Sequence, residues 1–472
     1  MEKVKIGIAT VILLLMAMLP IPNVLPITAK AETQSIPSIE DPTPGYWDTS
    51  LYMIGKIAVA IILPESNGSI DPNLYNWTDT QIAIVNRSIT SPLSWWANQN
   101  PNASVQFITE WHIASTSYEP ITRSESEFCM LVIPEIMRDF GFDNIHWSYQ
   151  VRDYANALRE KFNSDWSFII WVVNAFNDSD GMFEGGGTAR ASFGGPSLYM
   201  AFPSYKGIEW MNRTCAHEIG HMFWADDEYF PPPPTYSGYL NVSSIPLSGC
   251  LMDNQSWCLS GAPHGHNGTW GQIGWRDTDG DGIQDIVDTF PRVYLNSHET
   301  IGNKLNFTGT ATVTPYPNLK NIGSGRNVTI NRIQSVQYRI DDGTWQNATI
   351  TPWKFKKLVR YPDYYEYKET YAVVNFTFSL ELEPGEHFIE IRATNQWGNS
   401  GYANTTVTIP EFLETDLNKD GVVNIIDISI VAKAFGSKPG DENWNEIADL
   451  DKNGVVNILD ISKVARDFGK SS

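Results

Sequence analysis

The chain has 472 residues, too long for one ordinary core and long enough for about three compact units. Its formal charge of −21, with no clustered basic face, excludes a nucleic-acid partner, because phosphate binding needs such a face. Much of the acid sits in ordered aspartate patterns, which point to bound cations instead.

The N-terminus has a charged start (Glu2, Lys3, Lys5), an apolar run from Ile6 to Leu19, and Ala29-Lys30-Ala31 as a small-x-small cleavage site. Residues 1–31 therefore read as a signal peptide, which predicts a secreted protein with no membrane anchor after cleavage. Sequons at Asn67, Asn102, Asn267, Asn327, Asn375 and Asn404 fit an extracellular glycoprotein surface. Four cysteines allow two disulfides, with Cys250–Cys258 and Cys129–Cys215 the preferred pairs. Residues 32–54 are rich in Pro, Ser and Thr without apolar period and read as a linker, too short for a large inhibitory prodomain.

A first folded unit is expected over 55–276. The continuous apolar run Ile57 to Leu63 suits a strand buried on both faces, Val105 to Trp111 a second strand, and Trp166 to Val173 a third. Between them Val151, Tyr154, Ala155, Leu158 and Phe162 fall at helical spacing, so strands and helices alternate in an α/β layer. The Gly185 to Pro196 stretch lacks the Gly-Lys-Ser/Thr ending of a phosphate loop. Then comes His217-Glu218-Ile219-Gly220-His221. On a helix, residues four apart share a face, so His217 and His221 can present two imidazoles to one Zn²⁺. Glu218 beside them is placed as general base toward a water acidified by the cation. A third ligand is needed, and on a continued helix Glu228 would lie roughly 10 Å along the axis from His221, so the chain must turn. The residues alone leave Asp226, Asp227 and Glu228 open, with His264 and His266 further off in a glycine-rich loop.

This segment resembles the metzincin-like metallopeptidases, in particular the immune-inhibitor-A-like group with its His-Glu-x-x-His-x-x-Gly-x-x-Asp pattern. The resemblance covers roughly residues 55–275 and implies His217, His221 and Asp227 as zinc ligands, Glu218 as the catalytic base, and a protein or peptide substrate. The pattern's turn glycine is Trp224 here, a large side chain at a position that favours a left-handed backbone. Met252, in Gly249-Cys250-Leu251-Met252-Asp253-Asn254, looks like the methionine turn that such enzymes carry beneath the metal. The resemblance also implies that Ala189 to Met200 contains the edge strand along which an extended peptide aligns.

Asp277, Asp279, Asp281, the Ile283 carbonyl, Asp285 and Asp288 follow the register of a calcium loop and look like a thrombospondin-type loop, expected to stiffen a joint over 277–291. From 292 to 410 the period becomes two: Val336, Tyr338 and Ile340 before an Asp342-Gly343 turn, then Phe376, Phe378, Leu380 and Leu382. This predicts an all-β sandwich of immunoglobulin-like size.

Within 411–472 one unit occurs twice. Asp416, Asn418, Asp420, Val422, Asn424 and Asp427 recur in register as Asp449, Asp451, Asn453, Val455, Asn457 and Asp460, with Gly421 and Gly454 at the sixth position for the turn. Each copy runs on into an amphipathic helix. The duplicated loop-helix unit resembles dockerins, which implies two calcium ions and a cohesin partner, possible apolar contacts being Ile425-Ile426 and Ile458-Leu459. The whole is expected to be a secreted zinc endopeptidase holding one Zn²⁺ and two or three Ca²⁺; the other reading is a non-catalytic zinc-containing adhesion or scaffold protein that binds protein or glycan.

Overall fold

The computed structural model describes residues 29–30, 38–229, 235–245, 249–254, 257, 259 and 268–471. The expected signal peptide, apart from Ala29–Lys30, lies outside the described residues, as do Cys258, His264 and His266.

The first unit is an α/β layer. Its sheet runs β2 (Gln106–Thr116), β1 (Lys56–Ser66), β3 (Trp166–Asn174), β5 (Ser197–Phe202), β4 (Ala189–Ala191). The first four are parallel and β4 is an antiparallel edge. Every residue of β3 is buried, which explains why these strands read as unbroken apolar runs. Successive side chains alternate between two cores. Ile57, Val59, Phe168 and Ile170 pack with helices α1 (Asp79–Gln99) and α3 (Ile208–Met222). Ala58, Ile62, Ile169 and Trp171 face helix α2 (Trp147–Lys161).

This two-faced packing corrects the expected disulfide between Cys129 and Cys215. Both are free buried thiols, one in each core, with the sheet between them. The segment expected as a linker is also more than one: Tyr46 and Leu51 to Ile54 are buried, and the Met53 N–H donates to the Ile273 carbonyl at 2.8 Å.

The second unit is a β-sandwich. One sheet runs β6 (Arg292–Ile301), β7 (Lys304–Thr312), β10 (Tyr364–Glu381), β9 (Thr349–Arg360), with Ala29–Lys30 paired to β6. The other contains β8 (Ile333–Ile340), β11 (Gly385–Asn395) and β12 (Ser400–Ile409). Their inner faces meet at stacked rings, Tyr338 on Phe378 at 3.9 Å and Phe378 on Phe307 at 4.9 Å between centroids.

The boundary between the two units is not clean. Ile322, Val328 and Ile330, expected in the sandwich, belong to the α/β core. The Tyr239 hydroxyl donates to the Val328 carbonyl at 3.1 Å and the Ile330 N–H donates to the Tyr52 hydroxyl at 3.2 Å. C-terminally, helices α4 (Ile425–Ala434) and α5 (Ile458–Asp467) enclose a small core of Val423, Ile428, Val431, Val456 and Val464.

Candidate metal centre

Helix α3 carries His217, Glu218 and His221 on its buried side and is braced from behind by α1, whose Trp96 indole donates to the Ala216 carbonyl at 2.9 Å. The helix ends in a Schellman cap: the Trp224 N–H donates to the His221 carbonyl at 3.0 Å and the Ala225 N–H to the Gly220 carbonyl at 3.1 Å. That cap needs a left-handed residue, and Trp224 supplies it at φ 72°. The large side chain thus makes the turn glycine would have made. Room for its indole comes from Gly194, where a Cβ would lie 2.2 Å from the ring.

Each imidazole is oriented by its other nitrogen. His217 Nδ1 lies 2.8 Å from the Leu251 carbonyl and His221 Nδ1 2.6 Å from the Ala225 carbonyl. A carbonyl only accepts, so each Nδ1 carries the proton and each Nε2 presents a lone pair. The two Nε2 atoms are 3.1 Å apart, and Asp227 Oδ1 lies 3.1 Å from that of His217 and 3.4 Å from that of His221. Three electron-rich atoms so close repel one another unless a cation lies among them. N and O donors arranged tetrahedrally at zinc-like bond lengths would stand roughly 3.3 Å apart, so the donor set fits such an ion.

The other acids are held elsewhere. Asp226 is clamped by Gln272, which accepts from its N–H at 2.9 Å and donates to its carboxylate at 3.2 Å. Glu228 is fully buried, accepts from the Thr269 hydroxyl at 2.8 Å, and gives its N–H to the Met252 carbonyl at 2.9 Å. Of the three candidates left open by the sequence, Asp227 is the one that reaches the histidines.

Charge at the site follows from this crowding. Burial raises the Glu218 carboxyl above its ordinary value, while the histidines and the Ala191 N–H of β4 work against the shift. For Asp227 burial also acts upward, but its close approach to the His217 and His221 imidazoles outweighs it and holds the carboxyl well below the usual range. The cluster as a whole favours positive charge at its centre.

Met252 lies under the helix, its sulfur 2.7 Å from where a Cβ on Gly220 would stand. Its neighbours Leu251 and Asp253 share a short helical turn, and the Leu251 carbonyl is the one that orients His217. Two residues beside the site were not singled out from sequence. Tyr229 hydrogen-bonds Asp227 and its ring centroid is 6.3 Å from that of His217. Phe193, 42% exposed, has its ring 4.9 Å from that of His221. Tyr229 continues the ligand pattern two residues after Asp227, whereas Phe193 has no motif around it.

The aspartate loops are brought together to different degrees. In the C-terminal pair, Asp416 accepts from the Gly421 N–H and Asp449 from the Gly454 N–H, each at 2.8 Å, and Asp449, Asp451 and Asp460 converge. Lys419 and Lys452 both take φ 55°, so the two loops share one backbone course. Asn424 and Asn457 use their side-chain oxygens to cap α4 and α5, at 2.7 and 2.8 Å from the Ile426 and Leu459 N–H groups. The ninth position of each loop is thus also the N-cap of the helix that follows. Asp277, Asp279 and Asp281 also converge, whereas Asp285 pairs with Arg276 at 2.6 Å and Asp288 accepts from Asn399 at 2.7 Å.

Residues 414–469 match the dockerin type I domain family, and this part of the chain is a dockerin type I domain. No curated protein matches the chain. Among solved structures, the sulfane dehydrogenase SoxCD from Paracoccus pantotrophus is 17% identical over 24% of this chain and 23% of its own, at a TM-score of 0.15. A type II cohesin–X–dockerin complex from Acetivibrio cellulolyticus is 18% identical over 29% of this chain and 83% of its own, at 0.13. OgpA from Akkermansia muciniphila is 9% identical over 76% of this chain and 94% of its own, at 0.23. Likenesses this slight carry no argument about fold or function.

Proposed function

We propose that the chain is a secreted zinc-dependent endopeptidase of metzincin-like type, attached to a cohesin-bearing scaffold by its dockerin domain. The observation that carries the reading is the convergence of His217 Nε2, His221 Nε2 and Asp227 Oδ1 beside Glu218. A zinc ion held by those three would act as Lewis acid toward a scissile carbonyl and lower the pKa of water.

The remaining chemistry belongs to the chain. The Leu251 and Ala225 carbonyls keep both imidazoles in the tautomer that ligation requires. Glu218, its affinity for a proton raised by burial, takes a proton from the attacking water and returns it to the leaving amine. β4 is the sheet's edge, and an extended peptide can pair with it, with the Ala191 N–H kept for Glu218. The dockerin loops hold two calcium ions, and Asp277, Asp279 and Asp281 form a third site that stiffens the joint to the sandwich.

The test is Glu218→Gln. It removes the base and keeps the ligands, so peptide hydrolysis should fall by at least about a thousandfold while zinc stays near one per chain. Full hydrolysis by the variant refutes the mechanism.

A further inference from the structure

Trp224 occupies a backbone conformation that a bulky side chain adopts only when its surroundings compel it. The helix cap alone does not explain it, since glycine would make the same cap without strain. What tryptophan adds is its indole. That ring fills the space over Gly194 and meets Phe193 edge to face at 6.3 Å. Phe193 in turn lies against His221 at 4.9 Å.

Three rings therefore stand in series, from the strained turn to a metal-ligating imidazole. The loop that holds Phe193 is fixed by backbone bonds as well: Gly194 donates to the His221 carbonyl at 3.1 Å and Gly195 to the Ser192 carbonyl at 2.9 Å. Phe193 follows two residues after β4. A phenyl ring left 42% exposed, backed by an indole and placed against His221 just beyond the edge strand, is a fixed apolar surface beside the three converging donors.

We infer that Phe193, positioned by Trp224, is a specificity-determining shelf that receives an aromatic or branched aliphatic side chain of the substrate residue next to the scissile bond. This rests on the peptidase reading above. Phe193 offers a substrate only ring surface, so it rewards apolar contact and leaves a glycine or an acidic side chain without a partner.

The test uses the zinc-loaded full chain and two peptide hydroxamates that differ only in a benzyl group or a hydrogen on the residue adjoining the hydroxamate, with binding measured by calorimetry. The benzyl compound should bind the unmodified protein at least about tenfold more tightly than the glycyl one. In Phe193→Ala the ratio should fall to near one. In Trp224→Gly, where glycine suits the turn and zinc content should hold, it should fall as well because Phe193 loses its backing. A ratio near one in the unmodified protein, or a ratio unchanged by Phe193→Ala, overturns the shelf and leaves the peptidase reading standing. Failure of both hydroxamates to bind the zinc-loaded protein overturns the peptidase reading, and the shelf with it.

Discussion

At Asp227 and its two neighbours, adjacent carboxylates are sorted by what else holds them. Gln272 holds Asp226 and Thr269 holds Glu228, which leaves Asp227 to complete the site. Asp227→Ala should therefore weaken zinc binding by at least about a hundredfold, measured by competition with a chromogenic chelator, while Asp226→Ala should leave it within a few-fold. Equal losses in the two would mean that the carboxylates are interchangeable. Gly220 is a second single-residue constraint. A methyl there would meet the Met252 sulfur at 2.7 Å, so Gly220→Ala should lower stability by about 1–3 kcal/mol in denaturant unfolding, even though alanine favours helix. A stabilised Gly220→Ala would show that Met252 moves aside freely.

The strands and the histidine helix were legible because their signals are local. Ile57 to Leu63 and Trp166 to Val173 are unbroken apolar runs, and β1 and β3 extend them by only a few residues. The histidine pair was legible from helical spacing alone. Asp227 was not, because its selection depends on Gln272, 45 residues downstream of it. Helix α1 also escaped notice: it has a Thr78/Gln81 capping box, but Pro92 interrupts its interior and blurs the pattern. The least legible feature was the segment around 322–330. Its Ile322, Val328 and Ile330 finish the core of the first unit from beyond the joint, a long-range contact with no sequence signature. Burying three such side chains contributes about 4–9 kcal/mol, a large share of a domain's total stability. A chain ending at residue 291 should therefore lose cooperative thermal unfolding in its α/β unit, whereas a chain ending at 410 should keep it. Scanning calorimetry on both decides the matter, and intact unfolding of the shorter chain would contradict the packing described.

Across the whole molecule, the dockerin domain is the part whose sequence said most, since loop, turn glycine and helix recur in one register. Its own apolar core is small, and short domains of that kind need cross-links or metals to hold together. A chelator selective for calcium should melt α4 and α5, seen as lost helical dichroism, and leave the sandwich folded. Retained helix after complete calcium removal would contradict this. The dockerin is also seated on the sandwich: the Asn303 N–H donates to the Lys419 carbonyl at 3.3 Å, and Gly302 has no room for a side chain there. The parts thus form one line of contact, from the dockerin through the sandwich to the helix that carries the histidines. The central claim is that this line ends in a peptide-bond hydrolase, and digestion of a peptide library by the purified full chain, read by mass spectrometry, tests it most directly. Cleavage should appear with zinc bound, vanish when zinc is stripped and return when it is restored. Cleavage that persists in fully zinc-stripped protein, or none in the zinc-loaded chain, would contradict it.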